Sequence, residues 1–149
     1  MKIAIGSDHA GFEMKGLLIE QLKAWGHEVE DFGAHSTDSV DYPDIAEPLC
    51  MAVRDGKFDR GVLVCGTGIG MCIAANKVQG VRCALCAESY SARLTRLHND
   101  SNVLSIGARV TGIELAIDIL KTYLETEFPA EERNARRVSK IKAIEERQA

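Results

Sequence analysis

No run of apolar residues in this 149-residue chain approaches the length needed to cross a bilayer. The opening MKIAIGSDHAGFEMK returns to charge too soon to hold the apolar region of a signal peptide. A cytoplasmic location is therefore expected. Basic charge is not in excess, since 18 Lys and Arg stand against 22 Asp and Glu for a formal net charge of -4. Nothing global draws such a molecule to nucleic acid or to an anionic membrane surface, so any anion must be gripped by a local site. Repeats, low-complexity segments and linkers are lacking too, and 46% apolar residues give one domain enough material for a core. Cysteine is odd in number: Cys50, Cys65, Cys72, Cys83 and Cys86. Five thiols in an intracellular setting argue against a disulfide framework. Cys83 and Cys86 fall in VRCALCA, which reads as a strand whose residues three apart point to opposite faces. Both are expected to be small core residues, not a redox pair or a zinc knuckle.

What the chain does have is a steady alternation of short β-branched runs and helical patterns, the signature of a parallel sheet with helices on its faces. Strands are expected at about 2–6, 28–32, 61–65, 81–86 and 103–106. Helices are expected at about 11–25, 42–55, 67–78, 89–98, 112–128 and 131–146. In the fifth helix Ile113, Ala116, Ile117, Leu120 and Leu124 recur at helical spacing and should face the sheet. Pro129 sets off the last helix, so that about 130–149 forms a C-terminal helical tail. The expected fold is an α/β, Rossmann-like three-layer sandwich: a five-stranded parallel sheet of order 2-1-3-4-5, plus the C-terminal helix. In that order the first and third strands are neighbours whose following loops diverge, and a ligand belongs in the crevice between them. Ser7, Asp8 and His9 line it on one side. Cys65, Gly66, Thr67, Gly68, Ile69 and Gly70 line it on the other.

Glycines at alternate positions let the backbone turn tightly and bring its N–H groups close to an anion just where a helix begins. A plain strand-to-helix turn uses glycine in the same way, so the loop alone does not decide. Several chemistries are excluded by what is missing. The first strand is followed by Gly6-Ser7-Asp8-His9, without the glycine pattern of a dinucleotide site, and Met71 stands where the third glycine of the later loop would be. The Gly-Lys-Ser/Thr of a nucleotide P-loop is absent, and Met71 also stands where a cysteine phosphatase needs arginine. Cys65 could be no more than a buried thiol closing a strand. Its place at the ligand end of a parallel strand, before a helix N-terminus, is also a setting that favours negative charge on sulfur. His98, taken alone, reads as a capping or surface histidine.

The phrases GSDHAGF, DYPDIA, VLVCGTGIGMCIAANKVQGVR, RLHNDSNVLSIGARV and NARRVSKI together resemble the family of ribose-5-phosphate isomerase B and the galactose-6-phosphate isomerase subunits, over nearly the whole chain. Some members of that family carry Glu at the position of Met71, and others use Cys at the position of Cys65. This chain is similar to the cysteine type. The resemblance implies an aldose–ketose isomerase of the pentose phosphate pathway that works without a cofactor. Isomerisation through a cis-enediolate needs a base over the carbons, donors around two oxygens and a clamp for the phosphate. Cys65 would be the base. The backbone of Gly66, Gly68, Ile69 and Gly70 and the Thr67 hydroxyl would stabilise the enediolate. His98, aided by Asp8, would open the furanose ring, and Asn99 and Tyr42 would orient hydroxyl groups. His9, Arg109, Arg133 and Arg137 would hold the phosphate. For the last pair spacing adds its own support: Arg133 and Arg137 run in line with Ile141 and Ile144, so two guanidiniums should continue an inward-facing apolar stripe. A solvated basic face is the alternative.

No His, Asp and Glu cluster has metal-ligand spacing, so no metal is expected. A non-catalytic flavodoxin-like or receiver module could use the same crevice, but a receiver wants Asp where Cys65 stands. The choice among ribose 5-phosphate, allose 6-phosphate and galactose 6-phosphate stays open. The helix before His98 and Asn99 runs back toward the edge of the sheet opposite Cys65, roughly nine residues or about 13 Å. One chain should therefore not bring His98 to Cys65. The expected unit is a homodimer with shared active sites, whether or not dimers pair further, and its partner ligand is a small sugar phosphate.

Overall fold

The computed structural model describes residues 1–149. The runs KIAIGS, RGVLVC and VLSIG become β1 (Lys2–Ser7), β3 (Arg60–Cys65) and β5 (Val103–Gly107), buried almost throughout because helices cover both faces of the sheet. The weaker segments become β2 (Glu28–Asp31) and β4 (Cys83–Leu85), both partly exposed. Between the strands lie α1 (Phe12–Ala24), α2 (Tyr42–Arg54), α3 (Ile69–Ala75) and α4 (Ser89–Asn99). The chain then ends in α5 (Ile113–Glu125) and α6 (Glu132–Gln148). No helix is long and apolar enough to cross a membrane.

All pairings are parallel, and the strand order is β2-β1-β3-β5-β4. The expected order 2-1-3-4-5 is thus corrected in its last two places. The reason is burial: β5 is buried at all five residues and takes the inner position, whereas three-residue β4 takes the edge. Ile3, Ile5, Val62 and Ile106 pack under α1 and α5, and Ala4, Leu63, Cys65 and Val103 pack under α2 and α3. Cys86 belongs to the first of these layers and Cys83 packs against the second, as alternation along a strand requires.

The outer edge of β4 is not open. Asn76, which caps the C-terminus of α3, accepts the Cys83 N–H at 2.8 Å through Oδ1 and donates through Nδ2 to the Cys83 carbonyl at 3.0 Å. One side chain thereby makes the two bonds that a further strand would make. Beside it, at the start of β5, the turn after α4 is fastened by arginines. Buried Arg96 donates to Asp100 Oδ1 at 3.0 Å, to the Thr126 carbonyl at 3.1 Å and to the Ser101 carbonyl at 2.5 Å. Arg82 donates to the carbonyls of Asn99 and Asp100, both at 3.1 Å from Nε.

In α6 the residues that turn inward are Asn134 and Val138. Arg133 and Arg137 are exposed, which corrects the expectation that they continue an inward-facing stripe. Ile141 and Ile144 are also exposed, so all four lie along a face that this chain leaves uncovered.

Candidate active site

β1 and β3 are neighbours with residues in register, Gly6 beside Leu63 and Ser7 beside Val64, so the two loops expected to form a crevice leave the sheet side by side. The loop after β1 is pinned by its own aspartate. Asp8 is buried, and its Oδ1 accepts the N–H groups of Ala10 at 2.9 Å and Gly11 at 3.1 Å, while its own N–H reaches the Val64 carbonyl at 3.2 Å. Glycine is needed at position 11, where a Cβ would lie 2.6 Å from the Val64 carbonyl oxygen. His9 is half-buried, and its Nδ1 accepts the Val40 N–H at 3.3 Å. That bond places the ring proton of neutral His9 on Nε2, a donor for an anion.

On the other side Cys65 closes β3, and its Sγ accepts the Gly68 N–H at 3.1 Å. Gly68 has φ 78°, the left-handed region, and stands at the N-cap of α3. This is why the helix begins at Ile69 and not at Thr67, shorter at both ends than the expected 67–78. Thr67 is exposed, and its Oγ1 accepts the Ile69 N–H at 3.2 Å. The Arg109 N–H bonds the Gly66 carbonyl at 2.9 Å, and its side chain lies 3.4 Å from where a Cβ on Gly66 would stand. Tyr42 comes from the first turn of α2, and its ring lies over Gly70, 2.8 Å from where a Cβ there would stand. One chain therefore gathers Asp8, His9, Tyr42, Cys65, Gly66, Thr67, Gly68, Ile69, Gly70 and Arg109. The elements gather the side-chain donors of His9, Tyr42, Thr67 and Arg109, the loop's backbone N–H groups, a thiol and a carboxylate, and no group of His, Cys, Asp and Glu suited to a metal ion.

His98, Asn99, Arg133 and Arg137 are not part of this group. His98 and Asn99 end α4, exposed, beside the Asp100 turn. That turn belongs to the opposite edge of the sheet. Arg60, the first residue of β3, shares it: burial depresses the Arg60 pKa most, the nearby Arg96 charge adds to this, and Asp100 works against it. Cys65 is the last of the six residues of β3, about 16 Å farther along the strand.

Two residues hold the glycine loop without any sign of it in the sequence. Ser105, fully buried in β5, donates to the Gly68 carbonyl at 2.6 Å. Gly107 admits the backbone of Thr67 where any Cβ would meet it at 2.6 Å. Both come from a strand some forty residues downstream, and nothing in local spacing links them to the loop; only the sheet order, with β5 against β3, brings them there.

Known proteins share this fold. A family model for Ribose/Galactose Isomerase matches residues 3–141. Ribose-5-phosphate isomerase B of Escherichia coli is 47% identical over 146 residues, 98% of this chain and 97% of that protein. D-erythrulose-4-phosphate isomerase of Pectobacterium atrosepticum is 46% identical over 129 residues, 86% of this chain and 85% of that protein. The solved structure of Clostridium thermocellum ribose-5-phosphate isomerase B superposes with a TM-score of 0.98 at 51% identity, covering 100% of both chains. A glycine loop headed by Cys65 at the β1–β3 crevice, and likeness to these isomerases along the whole fold, lead to one conclusion: the chain belongs to the ribose/galactose isomerase family of enzymes.

Proposed function

We propose that this chain interconverts ribose 5-phosphate and ribulose 5-phosphate, a step of the pentose phosphate pathway in the cytoplasm, with Cys65 as the base. The observation that carries the reading is the Gly68 N–H on Cys65 Sγ at 3.1 Å, at the head of a loop whose next amides leave the start of a helix. A thiolate there takes the proton from C2 of the open-chain aldose and returns it to C1. The enediolate formed between the two events carries its charge on oxygens, which the N–H groups of Gly66 to Gly70 and the Thr67 hydroxyl surround. Asp8 has Oδ1 committed to two backbone amides, which leaves Oδ2 for the ring oxygen or a hydroxyl. Tyr42 flanks the same loop, and His9 and Arg109 are the cationic or donor groups at hand for the phosphate.

Ring opening by His98, orientation by Asn99 and the remaining phosphate contacts of Arg133 and Arg137 require a second chain. Exposed apolar side chains support a homodimer: Ile69 is 50%, Ile73 57% and Leu85 40% exposed, all beside the glycine loop or the edge strand. A concave region of about 790 Å³ lies between the edge strand and α6, lined by Val81, Ala84, Asn99, Ile141 and Ile144. A neighbour that covers these surfaces with its own α4 end and α6 brings His98, Arg133 and Arg137 to the crevice. Relatives named for D-erythrulose 4-phosphate favour a second reading, in which the sugar has four carbons. The test is a panel of aldose phosphates of four, five and six carbons assayed for ketose formation. Ribose 5-phosphate should give the highest kcat/KM, and a higher value for a four- or six-carbon sugar would replace it as the substrate.

A further inference from the structure

One buried cation takes no part in the chemistry above. Lys15 lies near the start of α1, and with 1% of its surface exposed its ammonium is out of water. Such a charge is costly to bury unless it is paired and its protons are bonded. Lys15 Nζ donates to Asp31 Oδ1 at 2.8 Å, to Asp31 Oδ2 at 3.0 Å and to the Ala34 carbonyl. The Phe12 ring lies against it, its centroid 5.3 Å from Nζ. An apolar side chain would fill this space without the cost, so the ammonium is explained by what it holds. What it holds is the root of the loop that carries Asp8 and His9. Beyond the end of β2 the chain keeps its pairing with β1: the Phe32 N–H donates to the Ile5 carbonyl at 2.8 Å, the Ser7 N–H to the Gly33 carbonyl at 2.6 Å, and the Ala34 N–H to the Ser7 carbonyl at 2.5 Å. Ser7 ends β1, and Asp8 and His9 follow it directly. At the far stem of the loop the Lys15 N–H donates to the Gly11 carbonyl at 2.8 Å, and Gly11 itself donates to Asp8 Oδ1. Both stems therefore meet on one residue, one through its backbone and the other through its ammonium. Past Ala34 the same connection brings the Val40 N–H to His9 Nδ1.

We propose that Lys15 is a positioning residue for the isomerase site: by holding the Ala34 carbonyl against the end of β1 it sets the Asp8–His9 loop, so that His9 keeps Nδ1 on Val40 and presents its Nε2 proton to the substrate phosphate. The last step rests on the reading of His9 as a phosphate contact. Lys15 touches neither the sugar nor the reacting atoms and acts only through the loop. Cys65 and the glycine loop leave β3 and have their own supports in Ser105 and Gly107. Loss of the ammonium should therefore weaken the grip on the anion more than it slows proton transfer.

The experiment is titration of inorganic phosphate into the full chain and its variants, read by the imidazole nitrogen resonances of His9 and by competitive inhibition of ribose 5-phosphate turnover. In the wild type, neutral His9 should show Nδ1 as a hydrogen-bonded acceptor and should respond to phosphate. Lys15→Met keeps the stem and loses the donors. Its Nδ1 signal should move to that of a free imidazole, and the inhibition constant of phosphate should rise about tenfold or more, with a smaller fall in kcat. That variant leaves Asp31 uncompensated, which threatens its fold, so the double variant Lys15→Met with Asp31→Asn removes both charges and should show the same two changes. Asp31→Asn alone keeps the ammonium on the Ala34 carbonyl, and its inhibition constant should stay within about threefold of the wild type even where its stability falls. An unchanged Nδ1 signal in both Lys15 variants would overturn the proposal. So would an equal loss of phosphate in Asp31→Asn, since affinity would then merely follow stability. A moved Nδ1 signal with an unchanged inhibition constant would support Lys15 as the positioning residue and instead remove His9 from the phosphate.

Discussion

Cys65 is small, nearly buried, and tied to the molecule by one hydrogen bond from Gly68, so its removal should separate chemistry from folding. Cys65→Ala is expected to lower kcat by about 10²–10⁴, the range over which a positioned base acts, with the thermal midpoint moved by only a few degrees. Turnover within a few-fold of the wild type would remove it as base. Gly107 makes the opposite case, because nothing there reacts. A methyl group would press on the Thr67 carbonyl carbon and oxygen, backbone atoms that cannot swing aside as a side-chain end could. Gly107→Ala should therefore cost about 1–3 kcal/mol of stability and lower kcat, measured by chemical denaturation and assay on the same sample. An unchanged kcat would show that the loop tolerates a shifted Thr67. At this scale the two loops were legible in the sequence because their glycines and reactive side chains are contiguous, in GSDHAGF and CGTGIG. Val40 at His9 and Ser105 at Gly68 were not, since each meets its partner only through tertiary placement.

Among the elements, the end of α4 depends most on a single side chain. Arg96 joins α4 to the end of α5 through Thr126 and to the start of β5 through Ser101, with its guanidinium 5.8 Å from the Tyr123 ring. Arg96→Met keeps the bulk and removes the donors, leaving the Thr126 carbonyl without this partner, and should cost about 3 kcal/mol. Arg96→Lys should not restore it, since an ammonium cannot span three acceptors set in different directions. A loss below about 1 kcal/mol by denaturant titration would mean that Tyr123, which also donates to Ser101 at 2.7 Å, suffices. Element types and their chain order were legible from periodicity, and so was the neighbourhood of β1 and β3 that makes the crevice. The places of β4 and β5 were not. Both are short, both follow a helix, and only the burial of β5 on two faces settles which lies inside. The inward face of α6 was misread for a related reason. Arg133, Arg137, Ile141 and Ile144 do share a face, but periodicity identifies a face without saying which one the chain itself covers.

For the molecule as a whole, the proposed sharing of sites between chains has a direct test. Mixing Cys65→Ala with His98→Ala under subunit exchange yields dimers with one intact site and one doubly impaired site. Activity should approach half that of the wild type per mixed dimer, and no recovery despite proven exchange would mean that each chain completes its own site. The way such a dimer can form is constrained by Asn76. At one margin of the sheet its amide occupies the bonds of Cys83. At the other, β2 offers Glu28 and Glu30, exposed like charges that repel an approaching strand of the same sequence. In the proposed dimer two copies would therefore meet through helices and loops, and neither sheet would continue into the other. The arrangement also links the sheet edge to the helix that follows the glycine loop, because the residue that closes the edge is the cap of α3. When α3 frays on heating, the edge opens as the glycine loop loses its support, so inactivation and the first exposure of a sticky strand become one event. Asn76→Ala should then begin to scatter light at a lower temperature than the wild type while its cold activity stays within a few-fold, and an unchanged onset of aggregation would show that the edge is guarded by other means.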